Sequence, residues 1–176
     1  MRSSLLVIFL AISAFGQTAT APSAQLVAAC GSKDVSFDVK LGSVEHTPAQ
    51  PEPGKAQVYF IQDSGLYGES QHYTLKIGLD GAWVGAYKHN SYLTASVEAG
   101  ERHVCASIQS NHSAGMILAL AHFTAEPGKV YYFRTRFHDS GRIGAAPPYV
   151  DIDPIDSDEA RYLLASYPMS VSQPKK

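Results

Sequence analysis

The sequence predicts an all-β protein, an antiparallel β-sandwich of the immunoglobulin or transthyretin type with one short C-terminal helix. Segments of about eight residues alternate apolar and polar side chains, the period of a strand with one buried face. Glycine-bearing turns separate them at regular intervals. The composition agrees: 10 Tyr, 14 Gly and 10 Pro in 176 residues favour pleated surfaces and turns over helix interiors. At 45% hydrophobic and 17% charged, the chain holds enough apolar material for one packed domain and too much for a disordered polymer.

Arg2 precedes the apolar run Leu5-Leu6-Val7-Ile8-Phe9-Leu10-Ala11-Ile12, and Ser13-Ala14-Phe15-Gly16 follows. A positive start, a short apolar stretch and small residues spaced as in Ala14-x-Gly16 predict a signal peptide over 1–16. Cleavage is expected after Gly16, with Ala21 as a later candidate. The run is short for the roughly 30 Å of bilayer hydrocarbon. No membrane span is therefore expected in the mature chain, and a periplasmic or extracellular location is. Residues 17–33, rich in Ala, Thr, Ser and Pro, read as a linker. A single sandwich domain is expected over 34–167, with 168–176 as a flexible tail.

The two cysteines, Cys30 and Cys105, read as a disulfide, because an exported chain meets an oxidising compartment. The bond would close a loop of 75 residues, worth about 4 kcal/mol in the chain-entropy model. The alternative is lipid anchoring at Cys30 after Val27-Ala28-Ala29. Against it, the polar stretch Gln17 to Gln25 separates that cysteine from the apolar region.

Asp34 to Lys40 alternates Val35, Phe37 and Val39 with polar residues, a half-buried strand. Thr47 to Gly54 carries three prolines, which remove backbone donors and make it a connection. Lys55 to Ile61 is a core strand. His72 to Leu79 and Ala82 to Tyr87 flank Asp80-Gly81, the dipeptide that most readily supplies two positive φ angles, so they form a hairpin. Ser91–Val97 with Arg102–Gln109, and Met116–Ala125 with Val130–Phe137, read as two further hairpins. Tyr149 to Pro154 is a last, edge strand stopped by proline. From Asp156 to Ala165 runs a helix of two to three turns, capped by Asp156 or Ser157, with Tyr162 and Leu163 packed on the sandwich.

With 14 Lys plus Arg against 16 Asp plus Glu, no large basic surface exists to hold nucleic acid. The acidic run Asp151, Asp153, Asp156, Asp158 and Glu159 invites a calcium site, but it lacks the glycine of a ligand loop, and helix capping accounts for three of the five. His103 and Cys105 share a strand face and would suit a soft metal only if the thiol were free. No Gly-x-Ser-x-Gly, HExxH or glycine-rich phosphate loop occurs; a pair of distant carboxylates remains the hydrolase alternative. No cofactor or metal is expected. The binding surface the sequence offers is Tyr132, Arg134 and Arg136, which share a face of the strand 130–137, together with Trp83 beyond the hairpin turn. Such a face stacks on a sugar or grips a carboxylate.

Four ordered runs carry a resemblance: Gly54-Lys55-Ala56-Gln57-Val58-Tyr59-Phe60, Ile77-Gly78-Leu79-Asp80-Gly81-Ala82-Trp83-Val84-Gly85, Ala99-Gly100-Glu101-Arg102-His103 and Ala125-Glu126-Pro127-Gly128-Lys129-Val130-Tyr131-Tyr132-Phe133. Over 54–137 and the tail the chain resembles a bacterial family of exported domains known only as domain of unknown function 2846. Its Asp-Gly-x-x-Val-Gly hairpin is similar to envelope domains of the PEGA type. The resemblance implies an exported, often lipid-anchored all-β domain and transfers no catalytic residue; separately, the expected partner is an envelope component or another exported protein.

Overall fold

The computed structural model describes residues 28–31, 35–44, 49–63, 73–109, 118–138 and 148–176. The predicted signal peptide, its cleavage sites and most of the predicted linker lie outside the described residues. The strands are β1 (Phe37–Leu41), β2 (Lys55–Gln62), β3 (Thr74–Leu79), β4 (Ala82–Lys88), β5 (Ser91–Glu98), β6 (Gly100–Gln109), β7 (Leu118–Ala125), β8 (Val130–His138), β9 (Tyr149–Pro154) and β10 (Ser170–Pro174), and the helix α1 (Ser157–Leu164) lies between the last two. One sheet has the order β5-β2-β8-β9, the other β4-β3-β6-β7, and β1 pairs with β10 as a two-stranded ribbon.

The sheets face each other across one apolar layer. Val58, Phe60 and Phe133 from the first meet Leu75, Ile77 and Val104 from the second, and Tyr87 is buried among them. Its hydroxyl lies 2.6 Å from Thr135 Oγ1, so the buried phenol has the partner its burial demands. The Asp80-Gly81 hairpin joins β3 to β4 with φ of 49° and 83°, as the dipeptide predicts.

Several expectations are corrected. The other two predicted hairpins do not pair. β5 bonds to β2 while β6 bonds to β3 and β7; β7 bonds to β6 while β8 bonds to β2 and β9. Both turns carry the chain from one sheet to the other. Gly100, at φ 119°, makes the first crossing; the second docks on the start of β2, through Gly128 N donating to Lys55 O and Gln57 N to Lys129 O. That docking sets β8 parallel to β2, from Gln57 opposite Val130 to Gln62 opposite Thr135, within an otherwise antiparallel pairing scheme.

The tail 168–176 is not loose. β10 runs antiparallel to β1, Phe37 opposite Pro174 and Leu41 opposite Ser170. Its small hydroxyl side chains fit under the neighbouring strand: Ser172 Oγ accepts from Ala86 N at 3.1 Å, and Ser170 Oγ lies 2.8 Å from Ser91 Oγ. β9 is an edge strand, as predicted, but not the last one. Nor are residues 17–33 linker throughout, since Ala29 and Cys30 are buried on the outer face of the second sheet.

In α1, Asp156 is the cap, its carboxylate accepting from the amides of Asp158 and Glu159 at 2.8 and 2.9 Å. Ala160, Leu163 and Leu164, spaced i, i+3, i+4, form the buried face. Tyr162 points away from them and is 78% exposed, so its predicted packing is corrected.

Candidate functional site

The outer face of the β5-β2-β8-β9 sheet collects the polar chemistry. Alternation along β8 turns Phe133, Thr135 and Phe137 inward and Tyr132, Arg134, Arg136 and His138 outward. α1 lies over part of this face, packing Ala160, Leu163 and Leu164 against Tyr59, Ile61 and Tyr92. Tyr132 sits at the helix margin, its ring 5.5 Å from that of Tyr59. Burial raises its phenol above the usual range, opposed by the nearby Arg161.

Each basic side chain of the row meets an acid. Arg134 Nη1 donates to Glu159 Oε1 of α1. Arg136 Nη2 donates to Asp63 Oδ2 at 2.9 Å, and Tyr167 Oη donates to Asp63 Oδ1 at 3.0 Å. Burial and the Asp63 carboxylate push the Tyr167 phenol up to about 12. His138 Nε2 lies 2.7 Å from Asp151 Oδ2, and Asp151 Oδ1 accepts the Arg136 amide. The His138 ring stacks on Tyr149, centroids 4.4 Å apart and planes 10° from parallel, with Tyr149 52% exposed. The result is a connected polar lattice ending in an open aromatic face.

Trp83 does not join this surface. It lies on the opposite side of the sandwich, half-buried against Ala29, Cys30 and Cys105, with Lys76 Nζ 4.3 Å from the ring centroid. Tyr132, Arg134 and Arg136 stand together as read, but α1 occupies part of their face. Their partners Asp63, Glu159 and Tyr167 escaped sequence reasoning. His138 and Tyr149 were legible, since β8 carries its alternation one step past Arg136 to His138.

Cys30 and Cys105 are bonded, Cα atoms 5.3 Å apart. The thiol that the soft-metal alternative needed is thus in the disulfide, and His103 instead faces His122 across the β6–β7 pair. Among the described residues no three His, Cys, Asp or Glu converge on a cation position. Of the acidic run, Asp156 serves as the helix cap and Asp151 is tied to His138 and Arg136. His72, the first residue of the predicted hairpin strand, lies outside the described residues. Two shallow hollows flank β7. One, of about 310 Å³, is lined by Phe123, Tyr131, Phe133, Pro154 and neighbours; the other, of about 270 Å³, by Glu101, His103, Leu120 and neighbours.

No protein-family model matches the chain, and no curated protein or solved structure matches it at a significant level. The architecture itself is plain. The chain is an all-β sandwich with a disulfide, and among the described residues no helix is long and apolar enough to cross a membrane.

Proposed function

We propose that the protein is a non-enzymatic, exported binding or envelope-associated module, and that it binds through the Tyr149–His138 end of the polar lattice. One observation carries this reading. The ionisable groups of that face, Arg134, Arg136 and His138, are each engaged by a carboxylate of the same molecule. Recognition gains from pre-set geometry, which this lattice supplies. The exposed face of Tyr149, backed by a stacked imidazole, offers a flat apolar platform beside the polar groups of Arg136 and Asp151, the combination that accepts a sugar ring. The disulfide supports an oxidising compartment, and the strand-and-turn runs that resemble exported domains agree with it.

The test is retention of the processed protein on isolated cell-wall and envelope fractions. Retention is expected for the native chain and a loss of about tenfold for Tyr149→Ala, with unchanged circular dichroism. Equal retention of the two proteins, or none of either, overturns the reading.

A further inference from the structure

A β-sheet edge exposes unpaired backbone donors and acceptors, and proteins that stay monomeric cover or charge such edges. Three of the four edges in this sandwich are treated in that way. At β4, Ser172 Oγ and Ser170 Oγ accept from Ala86 N and Lys88 N. Against β5, Tyr92 N donates to Pro168 O and Met169 forms an isolated bridge with Tyr92. β9 carries Asp151, Asp153 and Pro154.

β7 is the exception. Its sequence, LALAHFTA, has no acid, lysine, arginine, proline or glycine. Among the described residues β6 is the one strand paired with it. Leu120, on its outward row, is 43% exposed. The hollow of about 310 Å³ is lined by Ala121, His122 and Phe123, three successive residues whose side chains alternate between faces. Its other walls are Tyr131 and Phe133 of β8 with Pro154 and Ile155, so it opens between the two sheets beside β7, the border strand of its own sheet.

We propose that this edge is an interface with a second copy of the chain, β7 against β7 in antiparallel pairing about a twofold axis at Ala121. This proposal stands apart from the binding reading above and uses a different face. Self-complementarity argues for a second copy over an unrelated peptide. Antiparallel pairing sets residues of the same face opposite each other, and centring on Ala121 places Leu120 opposite His122 of the second copy, Ala119 opposite Phe123, and Leu118 opposite Thr124. Each larger side chain meets a smaller or unlike one, no like charges oppose, and the smallest side chain falls on the axis. A closed twofold contact consumes the open edge of both copies and leaves none for further growth.

The experiment is light scattering on size-exclusion fractions of the processed protein, from low micromolar to near-millimolar loading. A concentration-dependent dimer is expected, with no larger species. Leu120→Lys, at an exposed position, should raise the dimer dissociation constant by about tenfold or more while leaving the thermal midpoint of the monomer in place. Adding His122→Glu to that variant should restore dimerisation, now salt-sensitive, because the axis sets the introduced lysine against the introduced glutamate in both copies. A monomer at every concentration overturns the proposal, and so does a dimer indifferent to Leu120→Lys. Failure of the double variant to regain the dimer overturns the register.

Discussion

Cys30 lies over Gly78: a Cβ on that glycine would stand 2.9 Å from the Cys30 Cα and 2.9 Å from the Ala29 carbonyl oxygen. Backbone atoms of 28–31 thus occupy the space a side chain would need on β3. A Cβ on Gly31, at φ 86°, would stand closer still to the Gly81 carbonyl, and Gly81 N donates to Ala29 O at 3.2 Å. The segment is docked on the sheet as well as bonded to it.

Gly78→Ala should therefore destabilise the protein by about 1–3 kcal/mol, the usual cost of forcing atoms into filled space. The obstacle is backbone, so no rotamer change relieves it. Urea unfolding measures the loss. The cost should shrink in a Cys30→Ser/Cys105→Ser background, where the segment is free to lift; an undiminished cost there would show that the clash lies elsewhere.

The disulfide should be hard to reach. Cys105 is fully buried and Cys30 is 3% exposed, so a reductant attacks only after 28–31 opens. Once broken, the closed loop of 75 residues relaxes in the unfolded chain, lowering stability by about 2–5 kcal/mol. Thiol release under dithiothreitol, followed by mass after alkylation, should be slow in the native protein and faster in Gly78→Ala. Equal rates would separate reduction from opening.

Local pattern located most strands because each half-buried strand writes its own alternation, as Phe133, Thr135 and Phe137 do along β8. Pairing was less legible. Gly100 reads as a hairpin turn in sequence, but the same positive φ serves a crossing between sheets, and short-range signals do not separate the two. β10 escaped because its inward residues are Ser170 and Ser172, whose role is hydrogen bonding rather than apolar burial. At the candidate site Arg134 and Arg136 were visible by period, whereas Asp63 and Tyr167, 104 residues apart, meet only through the fold.

Deleting 169–176 tests that correction. Ser170 and Ser172 make three bonds to the body, with Ala86 N, Lys88 N and Ser91 Oγ. At about 1 kcal/mol each, their loss should lower stability by about 3 kcal/mol. It should also bare the β4 edge and promote aggregation on heating. Differential scanning fluorimetry with light scattering reads both. A truncation that melts like the full chain would return 168–176 to the flexible tail first expected.

Stability at high pH should depend on Tyr167. The folded chain holds its proton up to about 12, through burial and the Asp63 carboxylate, while an unfolded tyrosine releases it near 10. Below pH 10 both states are protonated, and the hydrogen bond to Asp63 stabilises the fold in full. Between 10 and about 12 the unfolded chain carries fewer protons, so stability falls as pH rises. Tyr167→Phe removes the bond and the titration together. It should be less stable than the native protein at pH 8 by about 1 kcal/mol, and the gap should close as pH climbs from 10 toward 12. Tyr87, whose phenol burial also raises, titrates in both proteins and drops out of the difference. Urea midpoints for the pair across pH 8 to 11.5 measure this; a gap that stays constant would mean that Tyr167 titrates as an exposed phenol and that its bond to Asp63 does not hold in solution.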